Sequence, residues 1–245
     1  MAVDLHTHST ASDGSDTPTQ LVGRAAEIGL SAVALTDHDT LEGIEEAATA
    51  AALTSIRLIP GVELSLEWSQ GGMHLVVLFL GPGRGPLRDR LAELQTGRDE
   101  RNQRMVELLN SLGVSIEYEE VLTEAGGGSV GRPHIAAVMA RHGHVDDIAA
   151  AFELWLGKGK PAYVGRRRLL PEEAIGLARM EGAVPILAHP HTMGIDTAEE
   201  MATTLRRLRA AGLVGLECHY PLYSPGERLE YVELARRFDL VPSGG

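Results

Sequence analysis

Short apolar runs recur along this chain, and several of them lead into a histidine or an acid. Ala2 to Leu5 runs into Asp4-Leu5-His6-Thr7-His8, and Ser31 to Leu35 delivers Thr36-Asp37-His38-Asp39. Ile56 to Ile59 and Val62 to Leu66 bracket Pro60-Gly61 and present Glu63. Met73 to Leu80 carries His74, Ala183 to Ala188 delivers His189-Pro190-His191, and Val214 to Leu216 delivers Glu217-Cys218-His219. Apolar runs of this length bounded by turn residues read as buried strands. Helix signals fall between them: Thr17-Pro18-Thr19 to about Ile28, Thr40 to Leu53 with Asp39 or Thr40 as its cap, Pro171 to Glu181, Ala198 to Ala211 and Pro225 to Phe238. Strand–helix alternation predicts an α/β fold. Polar residues at the ends of successive strands favour a barrel, whose rim collects side chains from distant positions. A doubly wound open sheet is the alternative, but no glycine-rich dinucleotide fingerprint follows the first strand.

The alternation is interrupted once. Leu87 to Leu112 reads as one long amphipathic helix. Shorter helices are expected in Val114 to Ala125, from Arg132-Pro133-His134 onward and over Val145 to Leu156, with Gly126-Gly127-Gly128 as a flexible loop. The predicted organisation is a barrel over residues 1–85 and 166–245 and a helical insertion over 86–165, acting as a substrate-binding lid. A last strand begins at Leu240-Val241.

The formal net charge of −12 argues against a protein that coats nucleic acid non-specifically, though not against a small phosphorylated substrate. A single cysteine, Cys218, permits no intrachain disulfide framework and suits a reducing cytoplasm. The N-terminus has no secretory pattern, and no apolar run is long enough to span a bilayer.

The chemistry lies in the strand ends. On a strand, His6 and His8 point to one face. Neutral imidazoles with nearby carboxylates are ligands for divalent transition ions. Asp37 and Asp39 are read as orienting His38 or capping a helix rather than binding metal, and His219 as a possible pocket-lining residue. His142, His144 and His191 receive no role.

Asp4-Leu5-His6-Thr7-His8-Ser9 with Asp13, the Thr36-Asp37-His38-Asp39 block, Gly61-Val62-Glu63 and Ala188-His189-Pro190 together resemble the PHP (polymerase and histidinol phosphatase) domain family, in order and spacing from residue 4 to the last residue. Arg101-Asn102-Gln103-Arg104, Gly131-Arg132-Pro133-His134 and the Gly159-Lys160 turn before Tyr163-Val164 resemble one branch of it, the 3′,5′-nucleotide bisphosphate phosphatases and the 5′→3′ exoribonucleases that trim short RNA.

The resemblance implies a distorted (β/α)7 barrel and two or three divalent metals: manganese, iron or zinc. His6, His8 and Glu63 hold the first. Glu63 bridges to a second, held by His74 and His189. Asp13 and His38 begin a third. Arg132 and His134, with Arg101 and Lys160, would grip phosphate, although a plain helix-start role for Arg132 and His134 and solvated charge for Arg101 and Lys160 are the alternatives. The implied activity is phosphate-ester hydrolysis of a small nucleotide such as a 3′,5′-bisphosphate, or of short 5′-phosphorylated RNA. Metal-activated water attacks, with no protein nucleophile. Family members of this branch continue into an Asp-Phe-His segment that supplies ligands to the first and third metals. The sequence stops at Gly245 instead, and is expected to be cut short there. The other readings are a non-catalytic metal-binding module and an amidohydrolase acting on a C–N bond.

Overall fold

A computed structural model describes residues 2–126 and 130–245. Most of the Gly126-Gly127-Gly128 loop expected from the sequence lies outside the described residues. The chain divides into two compact units, Met1–Leu91 with Arg168–Gly245, and Ala92–Arg167.

The first unit is built on seven strands, β1 (Val3–Thr7), β2 (Ala32–Leu35), β3 (Arg57–Ser65), β4 (His74–Leu78), β5 (Val184–Ala188), β6 (Gly215–His219) and β7 (Val241–Gly244), paired in that order. The sheet is nearly closed, since a Cβ on Gly245, just past β7, would lie 2.6 Å from Cβ of His6 in β1. Helices α1 (Pro18–Glu27) and α2 (Ile44–Ala52) follow β1 and β2. On β2 the side chains part by period two. Ala32 and Ala34 join Ile59, Val76, Leu78, Ile186 and Ala188 in one cluster, while Val33 and Leu35 pack with Val22, Ala25 and Ala47 of the two helices. On β2 the small alanines thus join the cluster shared with β3, β4 and β5, and the larger Val33 and Leu35 meet the helices.

Two expectations for the stretch up to β4 need correction. Ile56–Ile59 and Val62–Leu66 are not separate strands, because Pro60 and Gly61 lie inside β3. Residues 57–60 pair with parallel β2, and residues 61–65 with antiparallel β4. Pro60 sits where one partner gives way to the other, and Gly61 admits the new one: a Cβ there would meet the Val77 carbonyl oxygen at 2.8 Å. The helix expected from Thr40 begins at Ile44 with Gly43 as its N-cap. Neither proposed cap is available, since the Asp39 carboxylate accepts from Ser65 and Thr40 Oγ1 accepts from the Glu42 N–H.

β4 runs antiparallel to both neighbours. Its first residue, His74, is paired with Ser65 at the end of β3 and Ala188 at the end of β5. A strand start therefore reaches the rim that the other strands reach with their ends. After β4 the chain enters α3 (Pro86–Ser111), α4 (Tyr118–Glu124), α5 (Arg132–Arg141) and α6 (Ile148–Ala151). The single helix expected over Val145–Leu156 breaks into α6, capped by Asp147, and a π-helical turn over Phe152–Leu156. The helical unit has its own core, including Met105, Leu109, Ile116, Ile135, Met139 and Leu156. Helices α7 (Pro171–Met180), α8 (Ala198–Ala211) and α9 (Pro225–Arg237) complete the barrel unit. No helix of the described residues is long and apolar enough to cross a membrane.

Candidate metal centre

The centre is organised around one carboxylate. Glu63 lies on β3, 1% exposed, with its backbone N–H donating to the carbonyls of Thr36 and Asp37. Five imidazole nitrogens crowd its two oxygens. Oε2 lies 3.2 Å from His6 Nε2, 3.1 Å from His8 Nε2 and 3.1 Å from His38 Nδ1. Oε1 lies 2.9 Å from His74 Nδ1 and 2.8 Å from His189 Nε2.

Local backbone devices explain how residues so far apart in sequence meet. Pairing between β1 and β2 shifts register between Asp4 and Thr7, an irregularity that surrounds His6; such irregularities re-aim side chains at barrel rims. The turn after His8 folds back tightly. Gly14 N–H donates to the Ser9 carbonyl, and a Cβ on Gly14 would lie 2.3 Å from the His8 carbonyl oxygen. That turn is held by Asp37, whose carboxylate accepts from Ser9 N–H, Ser9 Oγ and Ser12 Oγ at 2.7, 2.7 and 2.6 Å. Asp37 thus anchors the loop carrying His8 and Asp13, and neither orients the His38 ring nor caps a helix. Asp39 adopts a left-handed backbone, with φ of 54°, that acids tolerate better than most residues. Its N–H donates to the Glu63 carbonyl, and its carboxylate takes Ser65 N–H and Oγ, both at 2.9 Å. His38 is thereby stitched to β3 beside Glu63.

Sequence reasoning named Glu217 at a strand end but gave it no task. It is buried, and one oxygen lies 2.9 Å from His6 Nδ1 while the other accepts the His189 backbone N–H at 2.6 Å. A carboxylate on the far nitrogen fixes a histidine's tautomer and leaves the other nitrogen to a metal. Glu217 does this for His6, whose Nε2 faces Glu63.

The electrostatics follow from this crowding. Burial opposes protonation of His6, yet hydrogen bonds to Glu217 and Glu63 raise its pKa to about 10. His8 is raised to about 9, with Asp13 and Glu63 outweighing burial. Asp13 falls to about 2, chiefly through His8. Burial disfavours the ionised Glu63, but the surrounding imidazoles hold its pKa far below the usual carboxylate range. His38 is shifted the other way, its protonation disfavoured by burial, and its Nδ1 is buried with no well-formed hydrogen bond among the described residues. A divalent ion would resolve this arrangement, because neutral imidazoles would then donate lone pairs instead of competing for protons. The donor set fits. Single ligand atoms of His6, Glu63 and His189 lie within 4.8 Å of one another, as do those of His8, His38 and Glu63. His74 touches Glu63 but belongs to neither triplet, and Asp13 adjoins His8 at 3.1 Å and His38 at 3.7 Å. His6, His8, Asp13, His38, Glu63, His189 and Glu217 line a cavity of about 260 Å³ that Tyr220 also lines, and His74 is not among its lining residues. His219 is exposed and is not among its lining residues.

The phosphate candidates lie in the helical unit. Arg101 is partly buried. That burial, with the nearby guanidinium groups of Arg166, Arg132 and Arg98, lowers its pKa to about 10. Its Nε is buried without a hydrogen-bond partner among the described residues. Arg132 lies over the rings of Phe152 and Tyr163 and donates to the Leu156 carbonyl at 3.1 Å. His134 Nδ1 accepts the Gly131 N–H, so this imidazole caps α5. Lys160 is exposed in the turn after Gly157. The structure therefore brings Arg101 and Arg132 near each other, with Arg98 and Arg166, which the sequence shows only as parts of charged runs, as neighbours.

Known proteins match this chain along most of its length. The PHP domain profile matches residues 4–164. The chain is 32% identical over 246 residues to a 3′,5′-nucleoside bisphosphate phosphatase of Chromobacterium violaceum, covering 99% of this chain and 85% of that protein. It is 35% identical over 248 residues to a 5′–3′ exoribonuclease of Salmonella typhimurium, covering 99% and 83%. Among solved structures, an inferred metal-dependent phosphoesterase from Bifidobacterium adolescentis superposes with a TM-score of 0.80 at 30% identity, covering 99% of this chain and 86% of that one.

Proposed function

Because the chain belongs to the PHP domain family, we propose that it is a metal-dependent phosphoesterase that hydrolyses a phosphate ester of a small nucleotide, such as a nucleoside 3′,5′-bisphosphate, or removes 5′-terminal nucleotides from short RNA. The observation that carries this reading is one buried carboxylate, Glu63, with five imidazole nitrogens on its two oxygens. Acids and imidazoles packed this way serve cations, and clustered cations serve phosphate.

In this reading His6, His8, His38, His74 and His189 hold two or three divalent ions, with Glu63 bridging and Asp13 at the exposed edge. Manganese, iron and zinc all suit the donor set. When bound, such ions neutralise phosphate charge and make water acidic enough to act as a nucleophile near neutral pH. The chain's own residues supply the positioning. Glu217 fixes the His6 tautomer, Asp37 anchors the His8–Asp13 turn, and Asp39 holds His38 against β3. No serine, cysteine or histidine needs to act as nucleophile. The helical unit, proposed as the substrate-binding insertion, contributes the Arg101–Arg132 cluster to phosphate recognition, with His134 and Lys160 in lesser parts.

The test is phosphate release by purified protein from mononucleotides, nucleoside bisphosphates and short 5′-phosphorylated RNAs, with each metal supplied in turn. Release that requires a divalent ion and disappears in Glu63→Gln is the expected result. Full activity of Glu63→Gln under controlled metals refutes the assignment. Ammonia or carboxylate produced from amide substrates, without phosphate release, points to C–N hydrolysis instead.

A further inference from the structure

Aromatic side chains are scarce in this protein, 4% of residues, yet three of its five tyrosines, Tyr220, Tyr223 and Tyr231, gather beside the metal centre. Tyr220 lines the cavity, and its ring lies 5.5 Å from that of His189. His191 and Tyr223 support it from the side, with ring centroids at 5.5 and 5.4 Å. These supports are themselves fixed. The Tyr223 hydroxyl lies 3.1 Å from His191 Nδ1, and the Tyr223 ring stacks on Tyr231 at 4.7 Å. The Tyr220 hydroxyl has no protein partner among the described residues. Its place is set by ring packing, so what the structure holds steady beside the cluster is the ring of Tyr220, whose flat faces are apolar. The other lining residues are chiefly imidazoles and carboxylates suited to cations and phosphate. A face of this kind offers nothing to a phosphate and much to a planar heterocycle, and stacking on it tolerates any base.

We infer that Tyr220, steadied by His191 and Tyr223, is the nucleobase platform of this cavity. It stacks the base of the nucleotide whose phosphate lies at the Glu63 cluster. The inference rests on the phosphoesterase reading and adds to it where the base sits and the expectation that base identity matters little. A base is joined to its 3′- or 5′-phosphate through one sugar, so cluster and platform on the walls of one small cavity can hold both ends of one nucleotide. The platform makes the enzyme prefer nucleotides over sugar phosphates without choosing among adenine, guanine, cytosine and uracil.

The experiment compares kcat/KM for a nucleoside 3′,5′-bisphosphate with that for the same ribose bisphosphate lacking a base, in metal-loaded wild type, Tyr220→Phe, Tyr220→Leu and Tyr220→Ala. The readout is the ratio of the two constants, which a general loss of folding or of metal does not move. Melting temperatures verify that each variant is folded, and Tyr220→Leu keeps bulk while removing the flat ring. The expected result is a wild-type ratio well above one. It falls at least about fivefold in Tyr220→Ala and Tyr220→Leu and is kept within about twofold in Tyr220→Phe. A ratio unchanged in Tyr220→Ala, or lowered as much in Tyr220→Phe as in Tyr220→Ala, overturns the platform. The first outcome leaves the ring without a role, and the second gives the role to the hydroxyl. Wild type that hydrolyses both substrates equally refutes the platform alone. Wild type that hydrolyses neither, with every metal tried, removes the phosphoesterase reading and the platform with it.

Discussion

Each unit of this protein buries a group of charged side chains, and the two groups are unlike in kind. In the barrel unit, imidazoles surround an acid, and most of their nitrogens already face Glu63, Glu217 or Asp13. In the helical unit, guanidinium groups lie near one another, and Arg101 keeps a buried Nε without a hydrogen-bond partner among the described residues. The first arrangement asks for cations, whose arrival releases protons from the ligands. The second is proposed to receive an anion, which would lessen the like-charge repulsion felt by Arg101. In the proposed function the first is given to metal ions and the second to phosphate, so the contrast bears on function and not only on stability.

The largest expected effect that sharpens the contrast is at Glu63. Glu63→Gln removes the charge shared by both ligand triplets, and activity should fall by more than the roughly 10–100-fold typical of losing an outer partner. Metal content measured beside turnover checks it. Glu217→Gln comes next. It keeps shape but loses the charge that fixes His6, so metal affinity should weaken about 10–100-fold while the fold remains. Equal metal affinity in that variant would make Glu217 a packing residue only. Arg101→Met should raise KM for a doubly phosphorylated nucleotide about tenfold, the scale of one charge-assisted hydrogen bond, and should leave metal content unchanged. Lost metal in Arg101→Met would break the division of labour between the units.

The smallest effect is on stability against pH in metal-free protein. His6 and His8 have folded pKa values of about 10 and about 9, above the ordinary 6.5. Their contribution is complete below pH 6.5 and is lost as pH rises through 9 to 10. The melting temperature should therefore fall across that interval. With a saturating divalent ion this fall should vanish, because the ion and not the proton then holds the imidazoles. A metal-free protein whose melting temperature rises there would contradict the hydrogen bonds drawn to Glu63 and Glu217.

Much of the barrel centre was legible in the sequence because strand ends are punctuated. His6, His8, His38, Glu63 and His189 each stand beside an apolar run, and the structure gathers all five. The reversed direction of β4 was not legible, since a strand looks alike read toward or away from a rim. The continuity of β3 was hidden by Pro60-Gly61, a turn signal that here marks a change of pairing partner. The tasks of Asp37, Asp39 and Glu217 were hidden for another reason. A carboxylate after a strand looks the same whether it binds metal, caps a helix or ties a loop, and only three-dimensional partners separate these. Tyr220 sits in a loop without periodicity, and its neighbours His189 and His191 come from another segment. The helical unit was legible as helices through α3 and α5, but Arg98 and Arg166 joined Arg101 and Arg132 only in three dimensions.

The most direct measurement counts divalent ions, and the protons their binding displaces, per chain in wild type and in Glu63→Gln by titration calorimetry with metal analysis. Two or three ions with proton release in wild type, and loss of tight binding in the variant, is the expected result. Equal numbers of equally tight ions in the two proteins would contradict a centre organised around Glu63.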